Sequence, residues 1–150
     1  MVLDRWFAQI KNFENILSSV TDEQLQKEIS PNKNRGIYLL GHLTAVHDDM
    51  FPLLNFGDKR YPELHEPFVK SPDKSTKEIP SAKELRSCWS KLNGALTQKI
   101  NSLQPDEWFQ KHNSVSAEDF IKEPHRNKLN IIITRTSHLS YHIGQFILIK

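Results

Sequence analysis

Two histidines four residues apart, His138 and His142, are the strongest chemical signal in this chain of 150 residues and seven histidines. On a helix that spacing stacks the side chains one above the other, with Cβ atoms roughly 6 Å apart, close enough to share one metal ion. The pair alone reads more simply as two partly buried imidazoles satisfied by neighbouring hydroxyls or carbonyls. His42 supplies a possible third nitrogen. It flanks Leu43 much as His138 and His142 flank Leu139, so three imidazoles converge if the two helices are neighbours. Three neutral nitrogens suit Zn²⁺ and other borderline divalent cations. They leave a coordination position open for water or substrate, which is the catalytic rather than the structural pattern. The residues within the pair, Leu139, Ser140 and Tyr141, include no Glu. The motif is therefore not the HExxH of metalloproteases and carries no built-in general base.

Other side chains compete for roles around such a centre. His47 is five residues from His42 and projects about 140° away on a 3.6-residue helix. It falls nearer the apolar stripe and reads as a core or rim histidine. His65, His112 and His125 fall in expected loops and read as non-ligands. A bound imidazole needs its other nitrogen held, and Tyr141, Gln145, Asp48 and Asp49 are the candidates for that. Asp48 and Asp49 also read as a solvated helix face, and Tyr141 as packing. Cys88, midway along an apolar stripe, reads as a buried core thiol. Glu63 and Glu66 are the loop carboxylates that a hydrolytic reaction could use as a base.

The elements that must position these residues are helical. Leu3, Trp6, Phe7, Ile10, Phe13, Leu17 and Val20 recur every three or four positions and make one apolar face. Thr21 to Gln24 reads as a capping box opening a short helix. The run 30–36, with Pro31 and Gly36, is a break. A second long helix is expected over 37–55, with the stripe Leu39, Leu43, Val46, Met50 and Leu53, and with Pro52 able to kink or stop it. The stretch 56–80 holds Pro62, Pro67, Pro72 and Pro80 and no sustained period. It reads as an ordered crossover, longer than the ~12–15 residues usual for a structureless connection. Ser81 and Glu84 form another capping box, and Leu85, Cys88, Trp89, Leu92, Leu96 and Ile100 mark a third helix to about 103. A fourth helix runs over about 127–149 on Leu129, Ile132, Leu139, Ile143 and Phe146. Four amphipathic helices with one long crossover are most economically buried as an all-α four-helix bundle, one domain over 1–150.

Composition narrows the class further. Twenty Lys+Arg against 18 Asp+Glu give a net charge of +2, and no basic run is interleaved with aromatics, so nucleic acid is not an expected partner. A single Cys excludes an intramolecular disulfide framework and any Cys-rich zinc module. No apolar run approaches the ~18–20 residues of a membrane span, and the first ten residues lack a signal-peptide core. These features point to a soluble cytoplasmic protein.

The stretch Tyr38-Leu39-Leu40-Gly41-His42-Leu43 with Val46-His47-Asp48-Asp49, and the stretch Ser137-His138-Leu139-Ser140-Tyr141-His142-Ile143-Gly144-Gln145, resemble the DinB/YfiT-like superfamily of metal-dependent enzymes. The terminal His-x-x-x-His-x-Gly-Gln is the more specific half. The resemblance covers nearly the whole chain. It implies a four-helix bundle with an up-down-down-up course and a divalent metal, commonly zinc or nickel, on His42, His138 and His142. It also implies a transferase or isomerase that uses a low-molecular-weight thiol, and a homodimer, to which aromatic surface on the first helix (Trp6, Phe7, Phe13) would contribute. The alternatives are a metal-dependent hydrolase and a non-catalytic metal-binding or stress-related bundle.

Overall fold

The computed structural model of the chain describes residues 1–76 and 78–150. Among the described residues the structure is all-helical, with only two isolated bridges, Glu28 to Arg35 and Lys111 to Asn127, in place of any strand. Helix α1 (Val2–Ser18) buries Trp6, Ile10, Phe13 and Leu17, the spacing of one helical face. Thr21 and Gln24 form the reciprocal capping box that opens the short α2 (Asp22–Leu25).

The next helix, α3 (Gly36–Asp48), is buried almost all round and carries His42. It ends earlier than the single helix expected over 37–55, and a separate α4 (Met50–Leu53) follows after Asp49. Pro52 explains the interruption. It has no N–H for the carbonyl of Asp48, and its ring crowds that carbonyl.

The crossover is ordered by its contacts with α3. It contains a 3₁₀ turn (Pro62–Leu64) and a π turn (Glu66–Lys70), and both pack on that helix through the buried Leu64 and Phe68. Asp73 receives a forked set of bonds from Arg35, 2.7 Å from Nη2, and also accepts from the Arg35 backbone N–H at 2.8 Å. The Tyr38 hydroxyl donates to the Ser71 carbonyl at 2.8 Å. At Gly41 an added Cβ would stand 2.4 Å from the Phe68 ring, so glycine is what allows the crossover to lie directly on α3.

Helix α5 (Ala82–Ser102) starts at the Ser81–Glu84 capping box and buries Leu85, Trp89, Leu92, Leu96 and Ile100. Cys88 is half-buried at the flank of that stripe rather than in the core, because its position falls one step off the Leu85–Trp89 line. After a 3₁₀ turn (Glu107–Phe109) and the short α6 (Ala117–Lys122), Asn127 caps α7 (Lys128–Phe146), which carries His138 and His142. The last expected turn of that helix tightens into 3₁₀ geometry at Ile147–Ile149.

The main packing pairs are α1 with α7, α3 with α5, and α3 with α7. Phe13 sits at their centre, edge-on to Trp89 at 4.8 Å and to Phe146 at 4.9 Å. Trp6 and Phe13 are therefore spent inside the fold, at 1% and 0% exposure. Of the three α1 rings that argued for a dimer, only Phe7 keeps partial exposure, and it too packs against the core.

Candidate metal centre

His42 comes from α3, and His138 and His142 lie on one face of α7. Their Nε2 atoms converge, with His42 to His138 at 3.2 Å and His142 to His138 at 3.1 Å. One ligand nitrogen from each lies within 4.8 Å of the others, an arrangement that could hold a metal ion. Two of the rings have their remaining nitrogen held. The Phe68 carbonyl can only accept, so the His42 Nδ1–H donates to it at 2.8 Å, and the His42 Nε2 lone pair faces the cluster. His142 Nδ1 donates to Gln145 Oε1 at 2.8 Å, and the Gln145 amide in turn donates to the Tyr141 hydroxyl at 3.0 Å. The Nδ1 of His138 is buried without a partner among the described residues.

At least two lone pairs are thus aimed at one point, together with a third nitrogen. Without a cation or shared protons between them, these nitrogens repel. Three ligands at about 2.05 Å in tetrahedral array stand roughly 3.3 Å apart, close to the separations observed. The donor set fits a borderline divalent cation. Burial lowers the pKa of all three rings. His138 falls to about 4, through burial first and then the neighbouring His142, His42 and Arg135. For His42 the Phe68 bond opposes the burial effect, and for His142 the Gln145 bond does. The imidazoles are therefore neutral at neutral pH, the form that ligates.

Of the four candidates for orienting a ring, the fold brings Gln145 and Tyr141 to His142. It takes Asp48 and Asp49 elsewhere. The Asp48 carboxylate is buried and accepts from the Arg60 and Tyr61 backbone N–H groups at 2.8 Å each, fastening the crossover. Asp49 pairs with Lys59 and faces His65 Nδ1 at 3.6 Å. Asp48 is thus neither a ligand-orienting group nor part of a solvated face, since α3 is covered on that side by the crossover. Glu63 and Glu66 are exposed, and Glu66 faces Lys70. His47 is fully buried between Trp6 and Trp89, with ring centroids 4.9 Å from each, and its Nδ1 meets Asn93 Oδ1 at 2.8 Å. Burial drives its pKa down to about 3. His112 bonds Ser114, and His125 is exposed.

Three contributors escaped the sequence reading. Phe68 acts through its backbone carbonyl, which no side-chain motif can signal. Tyr38, one turn before His42, lies parallel to its ring at 10° and 6.3 Å, a position the i, i+4 rule could have flagged. Arg135, one turn before His138, is half-buried, and its charge disfavours protonation of His42, His47 and His138. Its own charge is disfavoured by burial and supported by Asp49.

No curated protein matches the chain in sequence. Among solved structures it is similar to a conserved protein of Enterococcus faecalis, at 14% identity and a TM-score of 0.66, over 99% of this chain and 92% of that one. That likeness speaks for the fold. The sequence description of the DinB superfamily (DinB_2) matches residues 7–146, a span that contains both histidine-bearing helices, and on that match the chain belongs to the DinB superfamily.

Proposed function

We propose that this protein is a divalent-metal-dependent enzyme, with zinc or nickel held by His42, His138 and His142, that transfers a low-molecular-weight thiol to or from a small electrophilic substrate. The observation that carries this reading is the convergence of the His42 and His142 Nε2 atoms on that of His138, at 3.2 and 3.1 Å, with no carboxylate in the group. When bound, a divalent cation lowers a thiol's pKa and holds the thiolate, the attacking species. The chain's own residues do the rest. The Phe68 carbonyl and Gln145 lock two rings with Nε2 forward. Tyr38 and the exposed Tyr141 stand beside the rings. The sulfur forms a bond to the electrophilic carbon, whose leaving group departs with its bonding pair, and the thiol proton passes to solvent. A hydrolase that used Glu63 or Glu66 as its base is disfavoured, because both are exposed and neither hydrogen-bonds to the three histidines.

The up-down-down-up course belongs to the same reading. Arg86 of α5 donates to the carbonyls of Leu17 and Val20 at the end of α1, at 2.6 Å each, as antiparallel neighbours would. Phe13 meets Phe146 while Val2 and Arg5 share a cavity wall with Ile133 and Thr136, as parallel helices would. Gly36 lies against Ile149 and His42 against His138, which supports an antiparallel α3 and α7. A homodimer rests on the family resemblance alone. The decisive test is elemental analysis of protein purified without an affinity tag, beside the H42A/H138A/H142A variant. An equivalent of zinc or nickel in the first and none in the second is expected. A metal-free wild type that takes up no added ion would overturn the proposal.

A further inference from the structure

The molecule has six arginines, and five of them are accounted for. Arg35, Arg86 and Arg126 pair with Asp73, Asp22 and Glu123. Arg60 lies over the Phe51 ring at 5.9 Å, and Arg5 is exposed to water. Arg135 is half-buried and has no ion-pair partner among the described residues. Its Nε is buried with no acceptor, and no carboxylate among the described residues approaches within ion-pair distance of its guanidinium. Asp49, the acidic group nearest in effect, is already committed to Lys59 and faces His65.

Its placement makes this costly. Arg135 precedes His138 by three residues and His142 by seven, so it lies on the helix face that carries the ligands. Three neutral imidazoles do nothing to offset a divalent cation, and a guanidinium beside it adds repulsion that burial strengthens. A fixed cation next to a cation site is tolerable when the occupant brings negative charge of its own. Guanidinium also has the fork that matches a carboxylate.

We propose that Arg135 is the anion-recognising residue of this centre, binding a carboxylate carried on the same small molecule as the metal-seeking thiol. This rests on the metal-thiol reading above and narrows its substrate class to mercaptocarboxylates and larger thiols bearing an acid group near the sulfur. The reading also predicts that Arg135 opposes the metal when no such ligand is present.

The test uses the full chain loaded with Co²⁺ and titrated with 3-mercaptopropionate or 2-mercaptoethanol, followed by the sulfur-to-cobalt absorption. Wild type should bind the carboxylate-bearing thiol at least about tenfold more tightly, the worth of one charge-assisted contact. Arg135→Gln should collapse that preference, bringing the ratio of the two affinities close to one, and bind Co²⁺ itself more tightly. Arg135→Lys should restore part of the preference. Equal affinities in the wild type, which needs no variant to fold, would overturn the assignment while leaving the metal-thiol reading standing. A preference that survives Arg135→Gln would do the same. Failure of wild type to bind Co²⁺, or to develop a sulfur band with either thiol, would remove both proposals.

Discussion

His42 and His47 lie five residues apart on one helix and meet opposite surroundings. His42 Nε2 faces two other imidazoles, whereas His47 is enclosed by Trp6, Trp89 and Asn93. His42→Ala should weaken metal binding at least tenfold, about 1.4 kcal/mol, and His47→Ala should leave it nearly unchanged, as competition with a chromogenic chelator would show. Gln145→Ala frees the His142 Nδ1 and should cost 10–100-fold in the same assay, the usual loss when a ligand's supporting bond is removed. His47 has a second consequence. Its pKa is about 3 when folded against 6.5 for the free side chain. Between those values the unfolded chain takes up a proton that the folded one refuses. Stability of the metal-free protein should therefore fall as pH drops below about 6.5, by up to about 1.4 kcal/mol per unit for this residue. His138 adds a smaller share because it is only half-buried. Urea midpoints at pH 5 and 7 measure the slope, and His47→Gln should flatten it. An unchanged slope in that variant would show that His47 is not the group responsible.

At the level of elements, the contact that shapes the centre is crossover on helix. Gly41 lets the Phe68 ring touch the α3 backbone, and the Phe68 carbonyl then meets the neighbouring His42. Gly41→Ala places a methyl 2.4 Å from that ring. It should destabilise the fold by roughly 1–3 kcal/mol, as overpacking does, and weaken metal binding through the displaced carbonyl. Gly94 on α5 is the control, since nothing lies within 4 Å of the position its Cβ would take. Gly94→Ala should stabilise by roughly 0.5–1 kcal/mol through helix propensity alone and leave the metal untouched. Thermal denaturation and chelator competition on both variants separate the two effects. Loss of stability without loss of affinity in Gly41→Ala would mean that the His42–Phe68 bond is not what orients the ring.

For the whole molecule, a metal on His42, His138 and His142 would join α3 to α7, two helices far apart in sequence. Binding to the folded state alone should raise stability by about 2.7 kcal/mol when free metal is a hundred times its Kd. Melting curves with and without a strong chelator should therefore differ, and H42A/H138A/H142A should show no difference. No helix among the described residues is long and apolar enough to cross a membrane.

The amino-acid sequence by itself determined the helices, because apolar spacing and capping boxes are local and act within a few residues. It carried the His138–His142 pair for the same reason, and the family match across 7–146 was legible in the motifs around it. It marked 56–80 as a crossover through its prolines, yet it was silent on where that segment lies. Only the tertiary structure decided that Phe68 lends its carbonyl to His42, that Asp48 fastens the crossover instead of a histidine, and that Trp6 and Phe13 point inward. It likewise left Arg135, three residues before His138, without an ion-pair partner among the described residues. Each of these depends on which backbone passes over which helix, a long-range choice made by packing rather than by neighbouring residues.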